Sequence, residues 1–270
     1  MLFRSRDRHR DRHRDRHRAS AQAEIHFNGA KVVAGTNAGS DFLNALPGMT
    51  TSVKEGGVWV DTGSGSNSVT IAANLLDGGG NGGLIKTGAR TLILSGTNTY
   101  GGSTQVREGT LLANGSALSS RTVVSEGATL GGSGSLLSVV LEGGTLAPGN
   151  SAGLLRATSL DARTGTFFFE LGAPTQRGIT YDALDISGEV SLSASTLFEF
   201  TNSASYAFQI GNTFDLIDWG SAQFNNFSSS TLLTALNEDV GLSSGLAWDV
   251  STFTTDGKVQ VVPEPSSLSL

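Results

Sequence analysis

Three segments of the chain repeat the same turn chemistry, and they decide the fold. They read Val106-Arg-Glu-Gly-Thr-Leu111, Val123-Val-Ser-Glu-Gly-Ala-Thr-Leu130 and Val139-Val-Leu-Glu-Gly-Gly-Thr-Leu146. Their glutamates are spaced by 18 and 16 residues, which is too short for a helix pair or a propeller blade and fits one coil of a β-solenoid. Glycine stands at the corners because a corner needs positive φ angles and close backbone approach. The pattern predicts an all-β protein built as a right-handed parallel β-helix.

The repeat extends towards the N-terminus. Thr91-Leu92 stands one repeat length before Thr110-Leu111, and Val53-Lys-Glu-Gly-Gly-Val58 is interpreted as an earlier copy. Residues 56–153 hold 23 of the 36 glycines and no phenylalanine. We therefore assign residues 24–153 to Gly-rich β-solenoid repeats.

Phenylalanine is concentrated in the second half of the chain, where residues 167–253 hold ten of the 13. Apolar and polar side chains alternate over residues 191–200, which predicts a strand. Residues 213–219 and 258–262 are also predicted to be strands, and residues 230–238 a short helix. We expect residues 154–262 to be a Phe-rich β region that continues the solenoid or closes its open end with a sandwich-like cap.

Composition and charge exclude several classes of function. The chain has no cysteine, hence no disulfide framework, thiolate metal site or cysteine nucleophile, and no apolar run approaches the length of a transmembrane helix. The net charge of −6 combines residues 1–18, which hold eight arginines and three aspartates, with a body at −11. Because nucleic acid requires a basic stripe, we expect no nucleic-acid binding by the body.

Residues 1–23 form a separate segment. Arg-Asp-Arg-His occurs three times from Arg6 to His17, without apolar periodicity, and this predicts a disordered arm. An RNA-binding or membrane-surface tail, or a metal site formed by the arm's histidines, is the alternative. Ala21-Gln22-Ala23 has the form of a signal-peptidase site, so Ala21 and Ala23 are interpreted as the remnant of a secretory signal that ends before Glu24.

Residues 83–115 resemble the autotransporter-associated β-strand repeat, also called the passenger-associated transport repeat. The similarity is ungapped and includes Gly83-Leu-Ile-Lys-Thr-Gly88, Ser95-Gly-Thr-Asn-Thr-Tyr-Gly101 and Gly109-Thr-Leu111. The resemblance implies an extracellular or surface location in a Gram-negative bacterium.

The end of the chain is similar to the start of a PEP-CTERM sorting signal, with Pro263, Glu264, Pro265 and Ser266 as the motif. In that family the motif precedes an apolar span and a basic cluster, so residues 263–270 are assigned to the beginning of a sorting tail. The resemblance implies the Sec machinery and an exosortase as export partners, and contact with a membrane only through such a span.

Two short patterns formally match catalytic or binding motifs. Gly78-Gly-Gly-Asn-Gly-Gly83 has the G-x-G-x-x-G form, but strand-like residues follow it instead of the helix that would hold a pyrophosphate. Gly241-Leu-Ser243-Ser-Gly245 has the form of a nucleophile elbow. Its base is missing, since His26 is the only histidine outside the arm and precedes the serine.

Carboxylates provide the remaining candidates. Asp182 and Asp185, like Asp215 and Asp218, lie three residues apart and therefore on opposite faces of a strand. A glycosidase pair would have to come from different coils. Glu108, Glu126 and Glu142 would form a ladder if the coils stack in register, which we interpret as solvated and not as a cation site. We therefore predict no catalytic residue, no cofactor and no metal.

These patterns favour an exported, non-enzymatic β-solenoid protein with a structural or adhesin-like role, and extracellular polysaccharide is the expected environment. The alternative is a β-helix enzyme that acts on polysaccharide, either a lyase or a glycosidase. A third hypothesis is nucleic-acid binding through the basic arm.

Overall fold

The structure is a computed structural model, and it describes residues 23–35 and 41–265. The predicted arm, Ala21 and Ser266 lie outside the described residues, whereas Ala23 and residues 263–265 lie inside them. No helix in the described part is long and apolar enough to cross a membrane.

The chain winds into a parallel β-solenoid with three faces, which confirms the predicted fold class. The first face begins with β1 (Ala23–Phe27), β4 (Met49–Val53) and β7 (Leu75–Asp77). The second begins with β2 (Ala30–Val33), β5 (Val58–Asp61), β8 (Leu84–Thr87) and β10 (Thr104–Val106). The third holds β3 (Asp41–Leu43), β6 (Val69–Ile71), β9 (Leu92–Leu94), β11 (Gly109–Ala113) and β13 (Ala128–Gly132).

Later coils are made of long strands that continue around the corners. These are β12 (Ser116–Ser125), β14 (Ser135–Pro148), β15 (Leu154–Leu171) and β16 (Ala183–Ser193). They are followed by β17 (Leu197–Asn202) and β19 (Ile217–Asn225). β14 pairs with β12 on one face and with β13 on the next. The second and third faces, together with the first-face segments of the later coils, therefore join into one curled sheet of 15 strands. The Phe-rich region therefore continues the solenoid.

Coil length follows the predicted repeat only in the middle of the molecule. Thr104 pairs with Thr122, and Thr122 pairs with Val139, so these coils have the short length that the glutamate spacing predicts. Towards the C-terminus, Leu160 pairs with Val190 and Val190 with Ala222, so these coils are much longer. The longer coils carry loops that the three-segment pattern does not contain.

The turns of the three repeated segments lie at one corner, between the second and third faces, as their sequences predict. The interpretation of residues 53–58 as an earlier copy is wrong, because they join β4 on the first face to β5 on the second. Similar Glu-Gly turns thus occur at two different corners, since any corner needs the same backbone freedom.

Close stacking of coils at the corner between the third and first faces depends on three glycines. Gly96, Gly115 and Gly134 lie in consecutive coils. The residues that follow them pair from coil to coil, Thr97 with Ser116 and Ser116 with Ser135. A Cβ atom on Gly115 would stand 2.0 Å from the carbonyl oxygen of Gly96, and one on Gly134 would stand 2.0 Å from that of Gly115. Any side chain here would force the coils apart.

The interior is a column of stacked apolar side chains, inward-facing at alternate strand positions. In the C-terminal coils it is aromatic, because Phe167 stacks on Phe198 and Phe169 on Phe200, with centroids 5.2 and 6.0 Å apart. The predicted strand over residues 191–200 is interrupted at this level. β16 ends at Ser193 and β17 starts at Leu197, since a corner lies between them.

A cap closes the C-terminal end of the column. It contains helix α1 (Ser229–Asp239), helix α2 (Phe253–Asp256) and an antiparallel sheet of β18 (Thr213–Asp215), β20 (Leu246–Asp249) and β21 (Lys258–Pro263). The predicted helix and the predicted strand at 258–262 are confirmed. The Oδ2 atom of Asp239 accepts a hydrogen bond from the backbone N–H of Phe200 (2.9 Å), so α1 covers the edge of β17.

The predicted strand over residues 213–219 is divided between two sheets. β18 belongs to the cap and β19 to the solenoid, and both Leu216 and Ile217 are fully buried at the junction. Their backbone N–H groups both donate to the carbonyl oxygen of Gly257, at 3.1 and 3.4 Å. Two consecutive inward residues break the alternation, and the chain changes sheet there.

Candidate functional site

A groove lies at the corner between the first and second faces of the C-terminal coils. Its volume is about 510 Å³. We call it the corner groove. It is lined by Leu118, Ser135, Leu136, Arg156, Ala157, Thr158, Asp185, Ile186, Ser187, Asp218, Trp219 and Gly220. These residues belong to five stacked coils, those of β12, β14, β15, β16 and β19.

Strand register produces the polar row along this groove. Ser135 pairs with Arg156, Arg156 with Asp185, and Asp185 with Asp218. The neighbouring positions Ala157 and Ile186 are buried and form the floor. Because side chains alternate between faces of a strand, the row of charged groups points outward along its whole length.

Arg177 fixes the position of the groove's central carboxylate. One of its terminal nitrogens contacts Asp185 Oδ1, and the other donates to the carbonyl oxygen of Leu184 (2.7 Å). Its Nε donates to the carbonyl oxygen of Asp215 (2.9 Å) and lies 3.5 Å from that residue's Oδ2. The side chain of Arg177 is only 21% exposed, so it holds Asp185 and Asp215 in place from inside the protein.

Arg156 is held by the other oxygen of the same carboxylate. Its Nε lies 3.6 Å from Asp185 Oδ2, while its side chain is 52% exposed. Asp218, one coil further, is exposed, and its side chain forms no hydrogen bond or ion pair with other residues of the described ranges. The groove thus presents the guanidinium group of Arg156 and, on the next coils, the carboxylates of Asp185 and Asp218.

The two remaining candidate aspartates have structural contacts. Asp182 is buried, and its carboxylate accepts from the backbone N–H groups of Gly153 and Glu170, both at 2.8 Å. Burial raises the pKa of Asp182 to about 8, although both hydrogen bonds act in the opposite direction. Burial also raises the pKa of Asp215, and the nearby Arg177 partly offsets this.

The proximity of Asp185 and Asp218 was not predicted from the sequence. In the chain each belongs to a pair three residues apart, whereas the structure brings the two together from adjacent coils. No local spacing signals this contact, because the length of the intervening loop sets the register.

The nucleophile-elbow pattern is not assembled with a histidine. Ser243 lies in the loop between α1 and β20, while His26 lies in β1 at the opposite end of the solenoid. The Nδ1 atom of His26 instead lies 2.7 Å from Ser52 Oγ, and its Nε2 lies 3.1 Å from Glu24 Oε2. Ser52 belongs to β4, which pairs with β1 and β7, so its neighbouring backbone N–H groups are bonded within the sheet and offer no oxyanion site.

The glutamate ladder is out of register. Glu142 pairs with Ser125, and the Cβ of Glu126 instead approaches Gly143. Glu108 caps a corner, since its Oε2 accepts from the backbone N–H of Gly88 (2.9 Å). Within residues 23–35 and 41–265, no three histidine, aspartate or glutamate side chains are grouped so that they could hold a metal ion.

The glycine-rich motif at residues 78–83 forms the turn between β7 and β8. The residues that follow it form a strand, as expected, so no helix N-terminus faces the turn. A Cβ on Gly82 would stand 1.7 Å from the carbonyl oxygen of Lys54, which gives this glycine a packing role.

The most unusual buried group is the ammonium of Lys86. The side chain is 0% exposed, and its Nζ donates to Thr62 Oγ1 (3.1 Å) and to the carbonyl oxygens of Gly88 (2.6 Å) and Glu108 (2.8 Å). These acceptors belong to three consecutive coils. Burial lowers the pKa of Lys86 to about 8, and the residue ties the coils together through their corner carbonyls.

We expect this lysine to make stability increase with pH above pH 8. Between its folded pKa of about 8 and its ordinary value of 10.5, the folded state loses a proton that the unfolded state retains. The free energy of unfolding should therefore rise, by up to about 3 kcal/mol over the full interval. Urea unfolding at pH 8.0 and 9.5 measures the effect. Asp182 has the opposite effect, because its raised pKa makes stability fall as pH increases from 3.8 to about 8. The pH interval used to test Lys86 lies above that range.

The Lys86→Met variant is the test of this assignment, and Lys31→Met is its control. Lys86→Met should lose the rise between pH 8.0 and 9.5, whereas Lys31→Met should keep it because the Lys31 side chain is 57% exposed. A rise of equal size in Lys86→Met would contradict the assignment.

Comparison with known proteins agrees with the repeat. Residues 84–113 match the passenger-associated-transport-repeat family. They form β8 to β11, and Lys86 lies in β8. This match confirms the resemblance of residues 83–115.

Two curated relatives, both named extracellular serine protease from Serratia marcescens, are each 36% identical to this chain over 124 and 99 residues. The alignments cover 46% and 37% of this chain. This chain spans only 12% and 9% of the relatives' length. The chain therefore contains a passenger-associated transport repeat within a parallel β-helical fold.

Proposed function

We propose that the protein is a non-enzymatic β-solenoid of the bacterial surface or extracellular matrix, with a structural or adhesin-like role in a Gram-negative bacterium. The observation that carries the proposal is the matched repeat, residues 84–113, at the centre of an uninterrupted parallel sheet. The relatives, which are named as extracellular proteins, support the same location.

The geometry of the described residues supports a non-enzymatic role. Ser243 is not assembled with His26, and Ser52 has no oxyanion site beside it. In the repeat, the buried Lys86 and the carboxylate of Glu108 form hydrogen bonds between coils. A solenoid whose repeat uses buried polar groups for stacking suits a spacer that presents its outer faces to other molecules.

A polysaccharide-active enzyme is the alternative, and the proximity of Asp185 and Asp218 is the observation in its favour. Adjacent coils stand about 4.8 Å apart, close to the carboxylate separation of about 5 Å in retaining glycosidases. However, both oxygens of Asp185 contact guanidinium groups, those of Arg156 and Arg177. Neither oxygen is free to reach a glycosidic bond, so we favour binding over hydrolysis.

We propose that the protein is exported by the Sec machinery, with a signal cleaved after Ala23. We also propose that an exosortase processes it at the Pro-Glu-Pro motif. Pro263 ends β21, and the backbone N–H of Glu264 donates to the carbonyl oxygen of Gly245 (2.9 Å), so the motif begins where the folded cap ends. The passenger-type repeat itself favours export through the outer membrane as the competing route.

Surface labelling tests the proposed location. Intact cells of a Gram-negative bacterium that express the complete gene should bind an antibody raised against residues 41–265, without permeabilisation. A cytoplasmic enzyme in the same cells serves as the control and should remain unlabelled. Recovery of the antigen only after permeabilisation, and its absence from the culture medium, would contradict the proposal.

A further inference from the structure

The corner groove has the dimensions of a site for a linear polymer. It runs across five coils, so it extends about 19 Å along the solenoid axis at a spacing of about 4.8 Å per coil. Its polar groups recur once per coil, in the order Ser135, Arg156, Asp185 and Asp218. We propose that this groove binds a linear, neutral oligosaccharide, which would extend the adhesin-like role to a defined ligand class.

Along the paired parts of β15 and β16 the groove offers side chains, not backbone groups, to a ligand. The backbone N–H and C=O groups of β15 and β16 are used in parallel pairing with the coils on both sides. An extended peptide binds a sheet chiefly by adding a strand at an unpaired edge, and the groove has no such edge. A polyhydroxylated chain needs no backbone partner, since its hydroxyl groups both donate and accept hydrogen bonds.

Donors and acceptors of the groove are available and held in position. Asp218 is a carboxylate with no partner in the described part of the chain, and only the Nε of Arg156 faces Asp185 in a described ion pair. The hydroxyl groups of Thr158 and Ser187, which line the groove at the corner, also form no hydrogen bond with other described residues. Arg177 anchors Asp185, which in turn orients Arg156, so little side-chain entropy is lost on binding.

The groove also offers an apolar contact next to these polar groups. The side chain of Leu118 is 55% exposed at one end, and the half-buried Trp219 lies at the other. Sugar rings carry apolar C–H faces between their hydroxyl groups, and sites with a few oriented polar groups on an apolar surface suit such ligands.

Charge favours a neutral ligand over an acidic one. Within the groove two carboxylates, those of Asp185 and Asp218, face one guanidinium group, that of Arg156. The body of the protein carries −11. A chain of uronic acids would be repelled on approach.

Calorimetric titration of the purified full chain tests the proposal. The probes are neutral hexasaccharides of β-1,4-linked glucose, β-1,4-linked mannose and α-1,4-linked glucose, with hexagalacturonate as the acidic counterpart. At least one neutral probe should bind, and Arg156→Gln and Asp218→Asn should each weaken binding about tenfold, the effect of losing a charge-assisted hydrogen bond.

Arg163→Gln is the matched control. Arg163 lies in the same strand as Arg156 and forms an exposed ion pair with Asp161 (2.5 Å), but at a different corner. Its substitution should change affinity by less than about twofold. If Arg156→Gln is unstable, Asp218→Asn still tests the proposal, because the side chain of Asp218 forms no described hydrogen bond or ion pair.

Several results would overturn the proposal. The first is that no neutral probe binds. The second is that hexagalacturonate binds more tightly than the neutral probes. The third is that Arg156→Gln and Asp218→Asn both leave the affinity unchanged. Tighter binding of an extended hexapeptide in the same titration would assign the groove to a peptide instead. Because the assay uses purified protein, its failure is separate from a failure of surface labelling.

Discussion

Replacement of Phe167 by alanine is expected to lower the free energy of unfolding by about 3–5 kcal/mol. Phe167 is fully buried and stacks on Phe169 and Phe198, with centroids 5.9 and 5.2 Å away. It also pairs with Leu146 of the preceding coil. Its removal leaves a cavity shared by three coils, and a closely stacked column cannot collapse to fill it. Urea unfolding followed by far-ultraviolet circular dichroism measures the loss.

Phe168→Ala is the control for this prediction. Phe168 is the next residue in β15 and is only partly buried, since alternation turns it away from the column. Its substitution should cost less than about 1 kcal/mol. Equal losses for the two variants would mean that the aromatic column is not what stabilises these coils.

The second large effect is expected from Gly115→Ala. The added Cβ would lie 2.0 Å from the carbonyl oxygen of Gly96 and 2.7 Å from the carbonyl carbon of Ser95. Both atoms are backbone, so the strain can be relieved only by separating two coils. We expect a loss of about 3 kcal/mol or more, at the upper end of overpacking effects, measured as a shift in the urea midpoint.

Gly241→Ala is the matched control, since the same atom is added in a different setting. No atom lies within 4 Å of a Cβ built on Gly241, and its φ angle lies outside the left-handed region. The change in unfolding free energy should stay within about 0.5 kcal/mol. A neutral Gly115→Ala variant would show that the coils are less tightly stacked than the corner distances indicate.

Local sequence patterns predicted the repeating part of the solenoid well. The Glu-Gly turns at residues 108–109, 126–127 and 142–143 lie at one corner, and the alternation around them gives the inward face of each strand. Short coils can be recognised in this way because each contains one strand–turn–strand unit, whose periodicity is a local property. Residues 53–58 show the limit, since the same turn chemistry serves another corner.

Long coils were harder to predict from local patterns. The chain changes sheet at Leu216 and Ile217, which are both buried, and it turns a corner between Ser193 and Leu197. In each case an apparently continuous strand is interrupted because the coil below determines where the corner lies. Alternation alone carries no information about that position.

By itself, the sequence determined the parallel β-solenoid, the glycine corners and the identity of the matched repeat, because each follows from residues close together in the chain. Only the tertiary structure decided the corner groove. Arg156, Asp185 and Asp218 lie far apart in the chain, one in each of three coils, and stacking of adjacent coils brings them into one row. The physical reason is that inward or outward direction is set by a period of two along a strand. Neighbours across coils are instead set by loop lengths and by the packing of the column beneath them.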